Sequence, residues 1–236
     1  MKNQIVASIA AIPFAVGALF AGTGAAEAAG LTGGFSIGST MTTITLSEGE
    51  LSFDPNPGPV GLAVTSGSFM DFNSAAIQGP LTFDGSTGTP YTVTSFPDTF
   101  LDFGNLDFPG LDVPNFGIDD SSITDGISTF SLTKSEIHVM QAEDNPNVDI
   151  LVSLYGIFED EDGKQTKGKG DLTLQLADTN VAYVENILNG TNPSASATFS
   201  GALVGEMKVA TPEPTALFGL GVVATGLVAS RRKKSS

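Results

Sequence analysis

The chain has 236 residues, with 26 acidic against 10 basic side chains and one histidine, for a formal net charge of −16. It contains neither cysteine nor tryptophan, which excludes disulfides and thiol nucleophiles and removes the side chain most often used as a flat sugar platform. So acidic a body repels phosphate backbones and anionic lipid heads, and no nucleic-acid partner is expected.

At the N-terminus, Lys2 precedes an apolar run from Ile5 to Phe20. The small-residue patch that follows contains Ala26-Glu27-Ala28, an A-x-A arrangement of the kind signal peptidase cuts. Residues 1–28 are therefore read as a signal peptide, with Ala26 and Ala28 at the cleavage site.

Residues 29–210 read as one β domain. Thr, Val, Ile and Phe recur in short alternating runs, broken about every 8–12 residues by Gly, Pro, Asn or Asp. The expected fold is all-β: a single antiparallel β-sandwich of jelly-roll-like kind, flanked by the signal helix and a C-terminal hydrophobic helix. Early strands are expected near Phe35, over Met41 to Leu46, Val60 to Thr65, and Tyr91 to Thr94. Three five-residue units follow, beginning at Leu101, Leu106 and Leu111, each with an apolar-Asp-apolar core. Three units do not complete a turn of a pentapeptide β-helix, so the segment is read as a surface loop that shows Asp102, Asp107 and Asp112 to solvent.

Later strands are expected over Thr129 to Thr133 and Ile137 to Met140, where the apolar phase slips near Lys134-Ser135 and implies a bulge or a turn. Apolar residues in both phases between Val148 and Phe158 predict a strand buried on both faces. It pairs with the alternating Leu172, Leu174, Leu176 strand through a connection from Glu159 to Gly170, in which Asp162-Gly163 supplies turn chemistry. Val181 to Leu188 suits two helical turns ended by Asn189-Gly190, and Ala197 to Val209 suits a last strand.

Chemistry-bearing residues are few. Glu159-Asp160-Glu161-Asp162 places carboxylates side by side at the hairpin tip, with Asp119-Asp120 and Glu143-Asp144 as smaller clusters. Hard oxygen ligands suit Ca²⁺, but the EF-hand pattern would need an acid at Phe158. Asp160 and Asp162 are thus weak metal candidates, Ca²⁺ is the one cofactor considered, and otherwise no cofactor is expected. His138 falls on the polar side of its strand beside Glu136, the position of a structural histidine. G-x-S-x-G, H-E-x-x-H and P-loop patterns are absent, so no catalytic residue is assigned and an enzyme is not expected. A sugar site would rest on Tyr91, Tyr155 or Tyr183, or on some of the phenylalanines.

The C-terminus carries the most specific signal. Thr211-Pro212-Glu213-Pro214 is followed by an apolar, glycine-rich stretch from Ala216 to Ala229 and then by Arg231-Arg232-Lys233-Lys234. As a helix, the stretch from Ala216 to Ala229 reaches roughly 21 Å and that from Pro212 to Ser230 roughly 28 Å, a marginal span for a hydrocarbon core of roughly 30 Å. The four cations hold that end in the cytoplasm. Residues 211–236, with a membrane helix over about 215–230, suit temporary retention, and a permanent anchor is the alternative.

These three parts, in this order and spacing, resemble the PEP-CTERM sorting signal of bacterial exported proteins. The resemblance covers roughly a tenth of the chain and implies recognition at Pro212, Glu213 and Pro214 by a membrane-embedded exosortase, with Arg231, Arg232, Lys233 and Lys234 as the basic stop. It further implies passage through the inner membrane and delivery to the cell surface or an extracellular polysaccharide matrix. Family members share this tail and little else, so it assigns no residue of the body. Removing both ends takes five of the ten cations and two of the 26 acids, leaving a body with a charge of about −19. The expectation is a structural or interaction protein of the surface or matrix. The alternatives are a glycan- or Ca²⁺-dependent binding module and a glycan hydrolase with acidic catalysts.

Overall fold

The computed structural model describes residues 30–39, 41–106, 121–142 and 146–206. The expected signal peptide and sorting tail, with Ala26, Ala28, Pro212, Glu213, Pro214 and Arg231 to Lys234, lie outside the described residues, as do Asp107, Asp112, Asp119-Asp120 and Glu143-Asp144. The elements run in order β1 (Gly33–Gly38), β2 (Thr43–Ser47), β3 (Glu50–Asp54), β4 (Gly58–Ala63), β5 (Ser74–Ile77), β6 (Leu81–Phe83), β7 (Tyr91–Ser95) and β8 (Leu101–Gly104), then β9 (Thr129–Gln141), β10 (Val148–Glu159), β11 (Gln165–Leu176), α1 (Val181–Leu188), β12 (Ala195–Ala197) and β13 (Phe199–Gly205). Short 3-10 turns lie at Gly67–Asp71 and Ser121–Ile123.

Most of the described chain is strand, as the alternation predicts, but the sheet closes. The order β10-β11-β13-β1-β4-β5-β8-β9 returns to β10, because β9 and β10 pair antiparallel along their length, from Thr129↔Glu159 to Gln141↔Val148. The result is an eight-stranded antiparallel barrel and not the expected β-sandwich. Alternation is the same in both architectures, since each buries one face of every strand; the pairing that closes the ring is long-range and leaves no periodic trace. The far half of β9 also meets β7 at Tyr91↔Ile137, and from there β7-β6-β3-β2-β12 forms a second sheet.

Of the bulge or turn expected near Lys134-Ser135, the structure has the bulge, within one continuous β9: Lys134 faces Tyr155 whereas Leu132 faces the next residue, Gly156. The expectation that β10 is buried on both faces is corrected. Val148, Ile150, Val152, Leu154 and Phe158 point inward and are buried, whereas Leu151 and Ile157 are half-buried on the outer side and Tyr155 is 41% exposed. Barrel closure leaves no second layer over that outer face. The hairpin between β10 and β11 is tighter than expected, turning at Asp160–Gly163 with Gly163 at φ +74°.

Phenylalanine fills the barrel. Phe35, Phe69, Phe103 and Phe158 have ring centroids 4.6 to 6.2 Å apart, and Phe130 lies 4.4 Å from Phe158. Gly156 and Gly168 face each other across β10 and β11, and side chains there would run into the rings of Phe130 and Phe158. The glycines make room for the rings, and the rings cover the glycine backbone. Phe100 and Phe53 carry the apolar contact on to Phe199 and the second sheet, so one core is continuous through both. The helix forms where expected. The Asn180 side chain accepts the Tyr183 N–H at 3.0 Å as its N-cap, and Gly190 at φ +81° ends it. Among the described residues no helix is long and apolar enough to cross a membrane.

Candidate functional site

The acidic hairpin is occupied by its own protein. Asp160 Oδ1 accepts the N–H groups of Asp162 at 3.0 Å and Lys164 at 2.9 Å. Lys164 Nζ donates to Asp162 Oδ2 at 2.6 Å, and Gln165 Nε2 donates to Glu159 Oε2 at 2.7 Å. The Lys164 hydrogen bond holds the Asp162 carboxyl below the usual carboxylate range, and Asp162 in turn raises the Lys164 ammonium. A cation bound through Asp162 Oδ2 or Asp160 Oδ1 would compete with Lys164 and with the N–H groups of the turn. Among the described residues no three His, Asp or Glu side chains gather as a metal would require.

The remaining nominated residues do not converge. His138 stands half-buried on the outer side of β9, opposite Leu151, in phase with Glu136, whose carboxylate pairs with Lys134 at 3.1 Å. Tyr91 is buried against Phe83, and burial, reinforced by Glu185, pushes its hydroxyl above the ordinary phenol range. Tyr91 therefore cannot serve as a sugar platform. Tyr155 and Tyr183 are exposed, but one lies on the barrel wall under Lys134, 5.6 Å from the ring centroid, and the other on α1.

The first five-residue unit is corrected: Leu101–Gly104 is a barrel strand, and Asp102 is 2% exposed. It faces outward between Ala76 and Thr129, where residues 121–128 cover it. Gly126 N–H donates to its Oδ2 at 2.8 Å, while Oδ1 has no partner. Burial, first of all, raises this carboxyl above the usual range; the Gly126 N–H opposes the shift and Asp125 adds to it. Asp102 is the one strongly buried carboxylate among the described residues, and no residue pattern marks it, because its unit repeats in Leu106 to Gly110 and Leu111 to Asn115 and reads with them as an exposed loop.

A shallow open depression of about 450 Å³ lies between Gln141, Pro146, Asp178, Thr179 and Asn180. It holds one carboxylate, Asp178, and one hydroxyl, Thr179, with no histidine or lysine among its lining residues. A different gathering of residues lies at the other end of the long strands. There the first described residues pass beside the hairpin, Gly30 against the Lys164 carbonyl, and Glu206 N–H closes on the Lys167 carbonyl at 2.8 Å. The loop 64–72 covers the same mouth: Ser66 Oγ accepts the Gly34 N–H at 2.9 Å, Ser68 N–H donates to the Thr32 carbonyl at 2.8 Å, and Phe69 inserts into the barrel as a plug. Both ends of the described chain thus leave the barrel through one mouth.

No protein-family model, curated protein or solved structure matches this chain. The assignment of function therefore rests on the chain's own residues.

Proposed function

We propose that this is an exported bacterial protein, cut by signal peptidase after Ala28, retained by its tail, released by an exosortase at Pro212-Glu213-Pro214, and delivered as a structural or interaction component of the cell surface or extracellular matrix. The observation that carries the reading is the composite tail: tripeptide, marginal glycine-rich apolar span and terminal Arg231-Arg232-Lys233-Lys234. The exit of both described chain ends from one barrel mouth is compatible with processing at both, because cuts there leave the barrel strands intact. The phenylalanine-filled interior supports a protein that meets its partners with its outer surface.

Intact-mass analysis of the exported protein tests the reading. A mass ending near Thr211 or Pro214 supports processing, and a mass retaining Arg231 to Ser236 means a permanent anchor. Replacing Glu213 with Ala is expected to block release; unchanged release would refute recognition of the tripeptide.

A further inference from the structure

The mouth through which the chain leaves carries an unusual set of exposed side chains. Val64 is 78% exposed and Met70 69%, the two most exposed large apolar residues described, and both flank the plug residue Phe69 on one loop. Val64 holds a φ of +49°, a region that β-branched residues avoid. Its loop is nonetheless fixed from beneath by Phe69 and by the Ser66 hydrogen bonds. Ile127, 51% exposed, follows the Asp102-bound Gly126 at the same end. Just above this tip, Lys134, Tyr155, Lys169 and Val204 face one another in a row across β9, β10, β11 and β13, with Ile157 and Lys167 in the next row toward the mouth.

All four lysines among the described residues, Lys134, Lys164, Lys167 and Lys169, lie at this end. They are set among acids: Glu159, Asp160, Glu161 and Asp162 at the hairpin tip, with Asp71, Asp125, Glu136 and Glu206 nearby. Lys134, Lys164 and Lys169 are paired with Glu136, Asp162 and Glu206, and Lys167 has no ion-pair partner among the described residues. The charges therefore do not select an anionic surface. Apolar tips at one mouth, with an exposed tyrosine and long lysine stems on the wall of β9, β10, β11 and β13 leading to it, match the interfacial layer of a zwitterionic bilayer, where aromatic and lysine side chains lie with their apolar bodies inward and polar ends in water.

Chain length points to the same occupant. Glu206 precedes the apolar stretch at Ala216 by ten residues, a tether of at most roughly 35 Å. We infer that, while the tail is inserted, the barrel stands on the bilayer with this mouth downward and with Val64 and Met70 in the headgroup region. The inference rests on the reading of the tail as a membrane segment.

The chain contains no cysteine, so a Met70→Cys variant of the full chain takes a single environment-sensitive fluorophore, and a Met140→Cys variant at the opposite end of β9 serves as control. Both are reconstituted with vesicles of phosphatidylcholine and phosphatidylethanolamine carrying spin-labelled lipids, with circular dichroism confirming the fold. The label at residue 70 is expected to shift to the blue and to be quenched at a depth of roughly 5–10 Å below the interface, while the label at 140 stays aqueous. Adding Val64→Lys to the Met70→Cys chain should reduce that quenching. If the chain, its leader cut after Ala28, floats with vesicles but the residue-70 label stays aqueous, the inference fails and the tail reading stands. If the chain does not float, the tail reading fails and takes the inference with it. Self-quenching at residue 70 without vesicles, unchanged when they are added, would assign the mouth to a second copy of the chain and overturn the lipid surface.

Discussion

Asp102 illustrates how one residue can couple the fold to pH. Its folded-state carboxyl is raised above the usual carboxylate range chiefly by burial, so the native structure favours the protonated form. The associated stability is complete below the unfolded value and is lost as pH rises through the folded one. Asp102→Asn removes that loss while keeping an oxygen for the Gly126 N–H. From about pH 4 to about pH 7, its melting temperature should therefore rise relative to the parent; a parent that gains on the variant over that range would contradict the assignment. Gly168 sets a second limit at this scale. Gly168→Ala drives a methyl group into Phe158 and Phe130 and is expected to cost about 1–3 kcal/mol in urea unfolding. Gly38→Ala, where nothing lies within 4 Å, should be close to neutral.

Elements with local signals were the legible ones. The β10–β11 hairpin is written in Asp162-Gly163, the end of the helix in Asn189-Gly190, and the irregularity of β9 in its slipped apolar phase. Strands β3, β5, β6, β8 and β12 have no counterpart among the expected strands, because runs as short as Leu81–Phe83, Leu101–Gly104 or Ala195–Ala197 take their strand character from their neighbours. The candidate site was less legible still. Asp160 and Asp162 were found as a cluster, but their use as turn acceptor and lysine partner depends on hydrogen bonds that composition does not encode. Val64 reads as part of a strand over Val60 to Thr65, which the structure ends at Ala63, and Met70 carries no signal, since the barrel mouth they flank exists only after closure. The hairpin yields a direct test: Asp160→Ala deletes the acceptor of two backbone N–H groups and should cost about 1 kcal/mol. Melts in calcium and in chelator should coincide for the parent, and a calcium-dependent rise would restore the metal reading.

For the whole molecule, the excess of acids over bases acts against its own compactness. With a formal charge of −16, mutual repulsion is screened by salt, so the melting temperature should climb between about 10 mM and about 500 mM NaCl; a decline would mean that pairs such as Lys169–Glu206 dominate. The position of the chain ends has a mechanical meaning as well. β1 and β13 are antiparallel neighbours, with Gly33 opposite Gly205, and both leave the barrel on the same side. A pull that drew the two ends apart would load their hydrogen bonds one after another, as a zip is opened, the direction in which a strand pair resists least. Under the proposed processing, loss of the leader would leave only the β13 end to transmit tension. On that reading, the order of the two cleavages would decide whether the barrel is ever stretched along its weakest seam.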